Sequence, residues 1–153
     1  MSFTPPEISY TRSGEVHLAY QVIGDGPTNL LLAQASFVPI SMTWDYPPLA
    51  ELARRLSGLG RLIMFDRRGV GFSDPVAEGS AGTTEELAAD MWAVLDAAGL
   101  ERAALIGDGF TAAAVVAAAT SQPERVDKLI LVCLLYTSPS PRDATLSRMP
   151  SSA

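Results

Sequence analysis

The chain has 153 residues, 48% of them apolar and 18% charged, with a net charge of −6. That suffices for one folded domain with a real core, is too apolar for disorder, and is too acidic for a protein that binds a polyanion. The single cysteine, Cys133, excludes an intrachain disulfide framework and any cysteine-built metal site, and apolar runs such as residues 129–135 are too short to cross a bilayer as a helix. The start, MSFTPPEISYTR, lacks a basic stretch followed by an apolar one, so no secretory signal is expected and a cytoplasmic location is.

In chain order, EISYTRSGEVHLAYQVIGDGP predicts two strands, residues 8–11 and 16–23, around a Ser13-Gly14 turn. In the second, Val16, Leu18, Tyr20 and Val22 alternate with His17, Ala19 and Gln21, which predicts one buried face. NLLLAQ (29–34) is continuously apolar, as a strand covered on both faces requires. PPLAELARRLSGLG (47–60) places Leu49, Leu52, Ala53 and Leu56 on one helical face, with Pro48 tolerated in the first turn. RLIMFD (61–66) reads as a second buried strand, followed by the glycine-rich loop RRGVGFSDPVAEGSAG. Arg54-Arg55 and Arg67-Arg68, the basic pairs, read as helix surface or turn. Thr83 and Glu86 then form a capping-box pattern ahead of the stripe Leu87, Met91, Val94 and Leu95, and Gly99 stops the helix. A strand at 103–106, a helix at 111–119 and a strand at 128–132 complete the series. A hairpin followed by alternating strands and helices implies an α/β, doubly wound, mostly parallel sheet, with ligands at the carboxyl ends of its strands. The turns at 34–39, 66–74 and 107–111 meet that criterion.

Beyond Val132 the character changes. Residues 133–153, CLLYTSPSPRDATLSRMPSSA, have no sustained period, and their prolines break any helix or inner strand. Residues 133–143 are similar to one translated frame of a common transposase sequencing adapter, and residues 147–153 resemble the downstream flow-cell sequence, with 144–146 where a variable index lies. The expected organisation is therefore a native part, residues 1–132, and a disordered artefactual tail, residues 133–153.

FDRRGVGFSDP looks like the Asp-x-Arg-Gly-x-Gly-x-Ser segment of the α/β-hydrolase family, and AALIGDGFTAAAVVAAATSQPERVDKLILV resembles that family's nucleophile elbow, following helix and next strand. YTRSGEVHLAYQVIGDGP, Trp44 and RRLSGLGRLIMFDRRG are similar to hydrolase-like domains fused to bacterial class III adenylate cyclases and transcription regulators. The resemblance covers residues 8–132 and implies the N-terminal part of a hydrolase fold, strands one to six of eight. It implies family hydrolysis of ester-type or related bonds, no cofactor, a small-molecule ligand or substrate, no nucleic-acid or membrane partner, and a fused output domain in a full-length parent.

The family elbow is Gly-x-nucleophile-x-Gly. With Gly107 as its first glycine, Gly109 takes the nucleophile position and leaves it vacant, while Thr111 and Ala112 replace the usual helix-packing glycines. Asp108 as nucleophile would need glycine at Ile106 and a small residue at Phe110. Thr111 is the alternative nucleophile, in the frame Gly109-Phe110-Thr111-Ala112-Ala113; otherwise it caps the first helical turn. By resemblance, Phe110 and Ser36 supply the backbone N–H groups of an oxyanion hole. His17 precedes the elbow and reads as a surface or half-buried structural residue; Asp66, Arg67 and Ser73 read as groups that bond their own turn. The expectation is a chain inactive in hydrolysis, with a non-catalytic small-molecule sensor as the alternative. A third possibility is a dinucleotide-binding domain, since Gly107, Gly109 and Ala112 also satisfy Gly-x-Gly-x-x-Ala between strand and helix.

Overall fold

The computed structural model describes residues 5–35, 37–77 and 82–132. Six strands form one sheet: β1 (Ser9–Ser13), β2 (Val16–Ile23), β3 (Asn29–Ala33), β4 (Arg61–Phe65), β5 (Ala103–Asp108) and β6 (Val126–Val132). Their order is β1-β2-β4-β3-β5-β6. The hairpin strands run antiparallel, and β2 lies antiparallel on β4, whereas β4-β3, β3-β5 and β5-β6 are parallel. The predicted doubly wound, mostly parallel sheet is present.

Three helices cover it: α1 (Pro47–Ser57), α2 (Thr84–Ala97) and α3 (Thr111–Ser121). Each inner strand is divided between two cores, because successive side chains point to opposite faces. Leu31, Ala33, Ile63, Phe65, Ala103 and Leu105 join the α2 and α3 side chains in one buried cluster. Leu30, Leu32, Leu62, Met64, Ala104 and Ile106 form the other, under α1. Burial on both faces is why these strands read as unbroken apolar runs.

The capping box at α2 is formed: Thr83 Oγ1 accepts from Glu86 N at 3.1 Å, and Glu86 carboxylate accepts from Thr83 N at 2.8 Å. Leu87, Met91, Val94 and Leu95 are buried as the stripe requires. Two expectations need correction. In β2 both sets are buried from Leu18 to Gln21 and Val22 is exposed, because α1-side residues cover Ala19 while Leu18 and Tyr20 join the other core. On α1 the buried residues are Ala50 and Ala53, and Leu52 is exposed. Small residues let the helix sit close to the sheet, and its leucines project sideways over a cavity described below.

β6 begins two residues earlier than predicted and is exposed along its apolar length, Leu129, Ile130, Leu131 and Val132 each being 37–44% accessible. Among the described residues its outer edge has no strand partner. An apolar edge with unsatisfied backbone groups is a template for pairing between chains. Sedimentation velocity at rising concentration is expected to show self-association that Leu131→Lys reduces; a monodisperse monomer throughout would contradict this.

Candidate functional site

Three loops meet at the carboxyl ends of the parallel strands, and buried polar groups fix how they meet. The loop after β4 is organised by Asp66, which is 2% exposed. Its Oδ1 accepts from Ile40 N at 2.8 Å and its Oδ2 from Phe72 N at 2.9 Å, which ties the loop after β3 to the glycine-rich loop. Ser73 Oγ donates to Asp66 O at 2.6 Å and accepts from Ala19 N at 2.9 Å. Burial pushes the Asp66 carboxyl above its ordinary value, opposed by the two backbone N–H groups and the Arg67 charge. These residues bond their own turn, as their sequence suggests.

Arg67 and Arg68 lie in the turn after β4, as expected, and both fold inward. Arg67 is 4% exposed, donates from Nε to Gln34 O at 3.1 Å, and places its guanidinium 4.6 Å from the Phe110 ring centre and 5.6 Å from that of Phe37. Desolvation lowers its pKa, while the charges of Asp108 and Asp66 act to raise it. Arg68 reaches across to α2, donating to both carboxylate oxygens of buried Asp90 at 2.8 and 2.7 Å, and to Glu86 at 2.8 Å. Neither arginine faces solvent as a polyanion-binding pair would.

The third loop is the elbow. β5 continues through Gly107 and Asp108, which pair with Leu131 and Val132 of β6. Gly109 then turns the chain at φ +53°, a left-handed angle that disfavours most side chains, and α3 starts at Thr111. A Cβ on Gly107 would lie 2.7 Å from Val115 Cγ2 and 3.1 Å from Ala112 Cα, so this glycine and the small residue at 112 set the close approach of strand and helix. A Cβ on Gly109 would meet only Ala35 Cβ, at 3.2 Å. Position 109 therefore has the left-handed angle of a tight strand-to-helix turn and carries no side chain, and one added there would press on Ala35.

Thr111 is fully buried. Its hydroxyl lies 2.5 Å from Ala33 O and 2.8 Å from Asp108 O, which share its one proton, and it accepts from Asp108 N at 3.1 Å. It braces the ends of β3 and β5 against each other. Phe110 caps α3 next to Gly109, whereas Ser36, the other expected oxyanion donor, lies outside the described residues.

His17 hydrogen-bonds through Nδ1 to Asp74 Oδ2 at 2.8 Å, and the same oxygen accepts from His17 N. Because β2 runs antiparallel to β4, this pair does stand at the carboxyl end of the sheet. It is three strands from β5 in the sheet order, roughly 14 Å at about 4.8 Å per strand, and cannot serve the elbow. Among the described residues no cluster of His, Cys, Asp and Glu could hold a metal ion.

Asp108, weighed in the sequence only as a nucleophile, has a different place in the site. Asp108 Oδ1 accepts from Ala35 N at 2.5 Å, which puts a carboxylate against the loop after β3, where an acyl-transfer site needs donors. The signal was available: two residues beyond Ile106, position 108 falls on the α1 face of β5.

The sequence matches the alpha/beta hydrolase fold family over residues 47–151, more than half of the chain. It is 33% identical over 123 residues to a 2-hydroxy-6-oxononadienedioate/2-hydroxy-6-oxononatrienedioate hydrolase of Paraburkholderia phymatum, covering 77% of this chain and 40% of that protein. Among solved structures, the enol-lactonase from Burkholderia xenovorans LB400 superposes with a TM-score of 0.66 at 23% identity, over 79% of this chain and 45% of that one. The epoxide hydrolase VrEH1 from Vigna radiata gives 0.71 at 18% identity, over 94% and 46%. The chain thus spans about two-fifths of the length of the curated relatives it matches. The elbow between β5 and α3 lies inside the matched region, and the protein belongs to the α/β-hydrolase fold family.

Proposed function

We propose that this chain is a hydrolase-fold domain whose nucleophile position is vacant, and that residues 1–153 as they stand do not hydrolyse ester-type bonds. The observation that carries this is Gly109: it turns at φ +53° between β5 and α3 and has no side chain to attack with. Thr111, the alternative nucleophile, serves as a structural brace, since its hydroxyl is buried and held by main-chain groups. The family activity that the resemblance implies, hydrolysis of ester-type or related bonds, needs a nucleophile that Gly109 cannot supply. Turnover of p-nitrophenyl acetate is expected to equal the blank, and Gly109→Ser is not expected to restore it, because His17 is held by Asp74 and stands too far away. Turnover that Thr111→Ala abolishes would refute this reading and support the shifted elbow.

A second reading, a small-molecule sensor in a cyclase or regulator, is favoured by the same geometry: the elbow backbone is kept while the chemistry is gone. It includes a cytoplasmic setting, a fused output domain and no nucleic-acid or membrane partner. Burial of Arg67 and Arg68 supports the nucleic-acid part, and among the described residues no helix is long and apolar enough to cross a membrane. The dinucleotide reading is disfavoured, because the Asp108 carboxylate stands beside the place a pyrophosphate would take.

A further inference from the structure

A cavity of about 280 Å³ lies on the α1 face of the sheet and reaches the elbow at Asp108. Its floor is a row of three residues in register across three strands, Leu32, Ile106 and Ile130. Its roof is the sideways row of α1 leucines, Leu49, Leu52 and Leu56. At the carboxyl end the lining becomes polar, with Gln34 and the Asp108 carboxylate. Ala35 N donates to Asp108 Oδ1, and no hydrogen bond to Oδ2 is formed among the described residues. Asp108 is the one charged side chain among the lining residues, and the Arg67 cation lies within electrostatic reach of it.

An apolar slot closed at one end by a carboxylate selects an amphiphile whose polar head is a cation that donates hydrogen bonds. An anionic head would face Asp108, and a purely polar ligand would leave seven aliphatic side chains without a partner. We infer that this cavity binds a small amphiphilic ammonium compound, its apolar body between α1 and the sheet and its head on Asp108. The inference does not depend on whether the elbow cleaves any bond, since the cavity uses neither Gly109 nor Thr111.

The test is calorimetric titration of the full 153-residue chain with n-hexylammonium chloride and with neutral n-hexanol, at a concentration where sedimentation shows the monomer. Hexylammonium should bind about tenfold more tightly than hexanol, the value of one charge-assisted hydrogen bond over a neutral contact. Asp108→Asn, whose amide oxygen still accepts from Ala35 N, should abolish that preference and leave hexanol binding unchanged. Leu52→Trp, at a half-exposed roof position that tolerates bulk, should weaken both ligands while the circular dichroism spectrum stays the same. Equal affinities in the parent chain, a preference that survives Asp108→Asn, or no binding of either compound would overturn the inference.

Discussion

Arg68→Ala should lower the unfolding free energy by about 3–5 kcal/mol, the cost of leaving a buried charge without its partner. Asp90 is completely buried on α2, and both of its carboxylate oxygens accept from Arg68, whose side chain is itself 10% exposed. Its other ion pair, to Glu86, is half-exposed on the glutamate side and contributes little by comparison. A domain of ordinary stability, about 5–15 kcal/mol, would lose a large fraction of it. The double variant Arg68→Met with Asp90→Leu should recover most of the loss, because an apolar pair removes both desolvated charges together. Urea titration of the three chains measures this. A single variant within about 0.5 kcal/mol of the parent would show that the pair is not buried as described.

Gly71→Ala should cost about 3 kcal/mol or more, from two separate effects. Gly71 sits at φ +57°, where an L-residue is strained, and its Cβ would come 2.1 Å from Asp66 Oδ2 and 2.9 Å from Pro39 Cβ. The carboxylate must move, which breaks its hold on Ile40 N and Phe72 N and opens the junction between the two loops. Gly14→Ala provides the control. Gly14 has nearly the same angle, φ +60°, with nothing within 4 Å of its Cβ, so it should lose only the backbone term of about 1 kcal/mol. Equal losses of thermal stability in the two variants would contradict the packing at Gly71.

The sequence carried the elements that depend on local signals. The capping box at Thr83 and Glu86, the unbroken apolar runs of β3, β4 and β5, and the elbow around Gly107 to Phe110 are all set by residues near one another in the chain. What escaped depends on contacts made at long range. Ala19 and Gln21 of β2 are buried only because the sheet is covered on both sides, which the strand's own alternation does not reveal. Leu52 belongs to the apolar stripe of α1, yet the closeness allowed by Ala50 and Ala53 decides which residues touch the sheet. The burial of Arg67 and Arg68 has the same origin: their partners Phe110, Gln34 and Asp90 come from the start of α3, the loop after β3, and α2. At the candidate site, the turn at Gly109 was legible from motif spacing alone, and the role of Asp108 was not, because its donor Ala35 is distant in sequence.

The central claim is that the elbow holds no group able to form an acyl or phosphonyl adduct, and covalent capture tests it most directly. The chain would be incubated with a fluorophosphonate probe, weighed intact by mass spectrometry and then mapped by peptide. No adduct is expected on residues 107–113, since Gly109 has no side chain and the Thr111 hydroxyl is buried and bonded to main-chain groups. An adduct on Thr111 that denaturing the chain abolishes would contradict it.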